Sequence, residues 1–118
     1  MHHLHDAEIV GLALSSSVGA LTKELVLTVR AVEGHRRMLR FRGVVDWAFS
    51  PFGTQNVILD FYAYDQLTLT EHILAFFNVP TYWAEDVRNG TNRLYALTAS
   101  VGMEGIVLAQ GLTIDEEK

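Results

Sequence analysis

The chain has 118 residues, 49% of them hydrophobic, 10% aromatic and 19% charged, a make-up that excludes an intrinsically disordered chain and suits one folded domain with one core. With no cysteine, disulfides, thiolate metal sites and cysteine nucleophiles are excluded as well. Nine basic against fourteen acidic residues leave a formal charge of −5, which repels nucleic acid overall and favours a basic protein partner or a small ligand.

The opening Met-His-His-Leu-His-Asp lacks the basic end and long apolar run of a signal peptide, and no uninterrupted apolar stretch approaches membrane-spanning length, so a cytoplasmic chain is expected. No repeat or linker divides residues 1–118, and they read as a single domain. Residues 4–14 read as a first strand, with Leu4, Ile9, Leu12 and Leu14 supplying core contacts if a bulge near Ala7 or Gly11 shifts the phase. Leu25, Leu27, Val29 and Ala31 then alternate with Val26, Thr28, Arg30 and Val32, the period of a strand with one buried face. After Glu33-Gly34 the pattern resumes over 36–47, with Leu39, Phe41, Gly43, Val45 and Trp47 in one phase and Arg40, Arg42 and Asp46 in the other. This is a β-hairpin in which Gly34 supplies a positive φ.

Ser50-Pro51-Phe52-Gly53 interrupts, and residues 55–65 form a further strand in which Val57, Leu59, Phe61 and Ala63 oppose Ile58, Asp60, Tyr62 and Tyr64. The strands over 25–31, 38–47 and 57–63 are expected side by side, with Asp60 facing Arg40 or Arg42. Residues 70–78 read as one helix, capped by Thr68 or Thr70 and stopped by Pro80, that lays Ile73, Phe76 and Phe77 on the sheet. A loop over 81–92 leads to a final hairpin of 93–101 and 105–114, and Asp115-Glu116-Glu117-Lys118 reads as a frayed acidic tail. The fold class is α+β, mainly β: a single antiparallel, curved sheet of about six strands with one short helix packed on it.

Few residues suggest chemistry. His2, His3, His5 and Asp6 are types that bind metals, but no H-x-x-x-H helix or later His-rich segment completes a set, and no metal is expected. There is no G-x-S-x-G elbow and no glycine-rich phosphate loop, and Ser50, His72, Asp46, Asp60 and Asp65 are loose residue types, so neither catalytic residues nor a cofactor are expected. His35, Arg36, Arg37, Arg40 and Arg42 form the basic cluster. Alternation turns Arg40 and Arg42 away from Phe41 and Trp47, which argues against a stacking and phosphate-tracking surface.

Tyr82-Trp83-Ala84-Glu85-Asp86 places two large aromatics and two acids after Pro80. Tyr82, Trp83, Glu85 and Asp86 are the candidate partner-binding residues, with an aromatic anchor and an acidic rim; Trp83 folding back to close the core is the competing expectation.

Leu4-His5-Asp6-Ala7-Glu8-Ile9, and Gln55-Asn56-Val57-Ile58-Leu59 running into Tyr62-Ala63-Tyr64-Asp65, resemble the small cytoplasmic immunity proteins of bacterial polymorphic-toxin and contact-dependent growth inhibition systems, over residues 4–77. The resemblance implies a non-catalytic antitoxin that neutralises a cognate toxin by direct binding, with His5 and Asp6 fixing the first strand and His5 making one hydrogen bond to backbone; the formal charge of −5 then suits a basic toxin such as a nuclease. It assigns no interface residue. The other expectation, from a different class, is a β-barrel-like domain that encloses a small apolar ligand among its Phe, Tyr and Trp side chains.

Overall fold

Six antiparallel strands close into a barrel in a computed structural model that describes residues 4–16 and 23–116. In chain order they are β1 (Glu8–Ser16), β2 (Lys23–Arg30), β3 (Arg36–Phe49), β4 (Val57–Tyr64), β5 (Arg93–Val101) and β6 (Gly105–Glu116), with helices α1 (Glu71–Phe76) and α2 (Thr81–Arg88) between β4 and β5. Around the barrel the order is β1-β2-β3-β6-β5-β4. The expected mainly-β sheet of six strands is present, and its curvature runs through to closure.

The clearest alternation in the sequence builds the barrel interior. Leu25, Leu27 and Val29 of β2 and Leu39 and Phe41 of β3 are buried, with Leu25 opposite Phe41 and Leu27 opposite Leu39. The ring of Phe41 meets that of Tyr95 edge-on at a centroid distance of 5.2 Å and that of Phe61 at 6.2 Å. These three rings plug the centre.

β5 and β6 read differently because both of their faces are covered. Leu94, Tyr95, Ala96 and Leu97 are all buried, as are Ile106, Val107, Leu108 and Ala109. Tyr95, Leu97, Val107 and Ala109 belong to the interior cluster, whereas Leu94, Ala96, Ile106 and Leu108 belong to a second cluster under α2 that includes Trp83, Ala84 and Val87. A continuous apolar run is what a doubly covered strand requires.

The structure corrects several sequence expectations, and bulges account for most of them. β4 shifts register between Val57 and Ile58 and again between Ile58 and Asp60, so Ile58 is 0% exposed while Leu59, expected in the core, is 40% exposed. β3 shifts between Val44 and Asp46, beside Gly43 at φ 61°, and exposes Val45 and Trp47. The bulge expected near Gly11 lies between Ile9 and Gly11; Leu4, Ala7 and Ile9 are buried, but Leu12 and Leu14 are exposed.

Two further corrections concern long-range placement. β4 lies beside β1 and β5, not beside β3, so Asp60 does not face Arg40 or Arg42. Arg40 instead binds Glu24 and Asp115, each at 2.9 Å, and these bonds raise its pKa, Glu24 first. Asp115 and Glu116 are not a frayed tail: they continue β6 opposite Met38 and Arg37, and Glu116 accepts from Arg37 Nε at 3.1 Å. Glu117 and Lys118 lie outside the described residues.

The barrel closes through a short seam. Glu8 pairs with Val57, the Asp6 N–H donates to the Ile58 carbonyl at 2.8 Å, and the Ile9 N–H donates to the Asn56 carbonyl at 2.7 Å. Asp6 sits at φ 67°, in the left-handed region that aspartate tolerates. Asn56 is buried and locks the adjoining loop: its Oδ1 accepts from the Gly53 and Met103 N–H groups at 2.8 and 2.9 Å, and its Nδ2 donates to the Gly53 carbonyl at 3.0 Å.

Candidate functional site

The connection between the two helices shapes the site. Thr70 caps α1, its Oγ1 accepting from the Ile73 N–H at 3.2 Å. At the other end Asn78 takes φ 54°, the Asn78 N–H donates to Ala75 at 3.2 Å, and the Val79 N–H donates to Leu74 at 2.9 Å. This pair of bonds is a Schellman cap with asparagine in the left-handed position. Pro80 follows and opens α2, which replaces the expected loop. The sharp turn aims Phe77 at the sheet and leaves Phe76, expected on the sheet, 68% exposed.

Between this turn and the outer barrel wall runs an open groove of about 730 Å³. Phe76, Phe77 and Pro80 form one side, Leu59, Asp60 and Tyr62 of β4 another, and Glu104 and Ile106 reach it from the start of β6. Tyr62 stacks on Tyr64 at 6.1 Å between centroids and meets Phe77 at 5.9 Å, so the groove's aromatic side is packed from behind.

Two carboxylates meet the groove, and neither has an ion-pair partner among the described residues. The Asp60 N–H donates to Thr98 Oγ1 at 3.1 Å, which fixes the backbone and leaves the carboxylate beside Tyr62. Burial, and then the Asp60 charge, push the Tyr62 hydroxyl above its ordinary pKa. Glu104 is held by Ser50: the Ser50 N–H donates to the Glu104 carbonyl at 2.8 Å and the Glu104 N–H donates to Ser50 Oγ at 2.9 Å. In contrast Arg30, Arg37, Arg40 and Arg88 pair with Glu8, Glu116, Glu24 with Asp115, and Glu71 respectively. The groove thus joins exposed apolar surface to negative charge that the fold does not neutralise.

The residues singled out from the sequence divide. Trp83 is 1% exposed and closes the core under α2, so it cannot anchor a partner; its place in an amphipathic helix with Ala84 and Val87 explains the burial. Tyr82 and Glu85 are exposed and Asp86 is half-buried, on the same helix. The groove residues Asp60, Tyr62, Phe76 and Glu104 were not singled out as partner-binding, and the Asn78-Val79-Pro80 helix stop was the local signal for the turn that builds it.

The expected bond from His5 to backbone is not present among the described residues, where its Nδ1 lies 3.2 Å from Asp6 Oδ2; of the two residues it is Asp6 that ties the strand, through its backbone N–H. No group of three or more His, Cys, Asp or Glu converges among the described residues, and His2 and His3 lie outside them. The barrel interior around Phe41, Phe61 and Tyr95 has no water-sized space, so the aromatics fill it rather than line an enclosed ligand cavity. Among the described residues no helix is long and apolar enough to cross a membrane. No family model, curated protein or solved structure matches the chain.

Proposed function

We propose that this chain is a non-catalytic cytoplasmic binding protein of the immunity type, which neutralises a cognate basic bacterial toxin by direct contact. The observation that carries the reading is the groove, where exposed Phe76 and Tyr62 adjoin the carboxylates of Asp60 and Glu104, which have no ion-pair partner among the described residues. Desolvated aromatics supply most of an interface's energy, and rim charges orient and speed encounter. A lysine- or arginine-bearing segment matches both features, and the formal charge of −5 extends the attraction beyond the groove. Tyr82, Glu85 and Asp86 on α2 add an aromatic and two acids beside it in the chain.

A second reading rests on the groove's size: about 730 Å³ lies within the range of small-ligand sites, so an apolar small molecule could occupy it. Native mass spectrometry of the chain co-expressed with its genomic neighbours separates the two. A stoichiometric complex with a basic protein is expected, weakened by Phe76→Ala through faster dissociation and by Asp60→Asn with Glu104→Gln through slower association. A retained small molecule favours the second reading, and an empty monomer overturns both.

A further inference from the structure

Strand register resolves the groove into two rows. Asp60 of β4 pairs with Thr98 of β5, and Gly105 of β6 pairs with Leu97, which brings Glu104 alongside Thr98 on the other flank; there the Ala99 N–H donates to Glu104 Oε2 at 3.4 Å. The two carboxylates therefore bracket one threonine across two strand spacings, about 10 Å between backbones. The next row is apolar: Tyr62 pairs with Ala96, Ala96 with Ile106, and Ile106 with Ala48. The rows lie two residues apart along each strand, about 7 Å.

We propose that these rows seat a single arginine side chain of the partner, its methylene stem on the Tyr62–Ile106 row and its guanidinium over Thr98 between Asp60 and Glu104. The arginine belongs to the basic toxin of the proposed function, and the assignment rests on that reading. Charge selects a cation, because Glu8, Glu24, Glu71, Asp115 and Glu116 are neutralised by arginines of this chain whereas Asp60 and Glu104 have no ion-pair partner among the described residues. Shape selects arginine over lysine. A guanidinium spreads five N–H donors over a plane and serves carboxylates on both edges, whereas an ammonium is one compact, strongly hydrated charge. Its planar faces also stack on aromatic rings, and Tyr62 and Phe76 line the groove with their rings exposed. The stem covers the apolar row while the charge stays in the polar one.

The selectivity can be read on the purified chain without any toxin. Nα-acetyl-arginine amide, titrated against isotope-labelled protein, should shift the Asp60, Thr98 and Glu104 amide resonances saturably, and Nα-acetyl-lysine amide should bind more weakly. Asp60→Asn and Glu104→Gln should each weaken the arginine amide about two- to fivefold, the measure of an exposed ion pair, and Phe76→Ala should narrow the gap between arginine and lysine. All three side chains are exposed, so the circular dichroism melts should stay at the wild-type temperature. Equal affinity for the two amides, or arginine binding that both acid variants leave intact, overturns the assignment. An arginine amide that shifts nothing overturns it too, and a basic partner still captured in native mass spectrometry then leaves the toxin-binding reading standing. Arginine-selective shifts in a chain that captures no basic partner support the seat and overturn the toxin as its source.

Discussion

Trp83 in α2 donates its indole N–H to Asp46 in β3 across 3.2 Å. The same oxygen accepts from the Tyr82 hydroxyl at 2.9 Å, and the other carboxylate oxygen accepts from the Trp47 N–H at 2.8 Å. One carboxylate thus pins the helix to the barrel at the point where β3 bulges. Trp83→Ala should destabilise by about 3–5 kcal/mol, because a large ring leaves a cavity that packed neighbours cannot fill. Asp46→Ala should cost about 1–3 kcal/mol for the stranded indole N–H, and Tyr82→Phe under about 0.5 kcal/mol, since the phenol is exposed. Urea denaturation midpoints rank the three; a midpoint for Trp83→Ala equal to the wild type would contradict this packing.

Asn56 is expected to behave as a structural residue. Asn56→Ala removes three hydrogen bonds and leaves the Gly53 and Met103 N–H groups without their acceptor, for a loss of about 2–4 kcal/mol. Gly102→Ala should also destabilise, because Gly102 sits at φ 82° and a Cβ there would collide with the Gln55 carbonyl. Amide hydrogen exchange gives the location: faster exchange at Ile9 and Ile58, whose N–H groups form the seam, is the expected signature.

The double bulge in β4 makes neighbouring positions unequal. Ile58→Ala and Phe41→Ala should each cost about 2–5 kcal/mol, whereas Leu59→Ala should stay near 0.5 kcal/mol or below, roughly as for exposed sites. Equal losses for Ile58→Ala and Leu59→Ala in thermal melts would show that the bulge is misplaced.

Acid should loosen the turn before α1. The Asp65 carboxylate accepts from the Leu67 N–H at 2.9 Å and from the Thr68 N–H and hydroxyl at 3.1 Å each, and these bonds, the Leu67 one first, hold its pKa below the ordinary value. A carboxylate whose pKa is depressed by folding contributes its full stability above the unfolded-chain pKa and loses it as pH falls through the lower folded value. Calorimetry from about pH 6 to about pH 2 should therefore show a falling transition temperature below the usual carboxylate range. Asp65→Asn should be less stable at neutral pH and flatter over that acid range; an unchanged slope would exclude Asp65 as a contributor.

Alternation and punctuation were local properties, and they were legible. The inward rows of β2 and the first half of β3, the turn at Gly34, the Thr70 cap and the hairpin at Gly102 all follow from neighbours a few residues apart. Long-range decisions were not. That Leu59 faces out and Ile58 in depends on bulges fixed by pairing with β5, and that Arg40 meets Asp115 rather than Asp60 depends on β6 lying between β3 and β5. The acid-flanked groove is of the same kind: Asp60, Phe76 and Glu104 are far apart in sequence and converge only because the Asn78 cap folds the helices back onto the outer wall of a closed barrel. Period-two patterning specifies which face is apolar, but the register that decides what each face meets is set by contacts between distant strands.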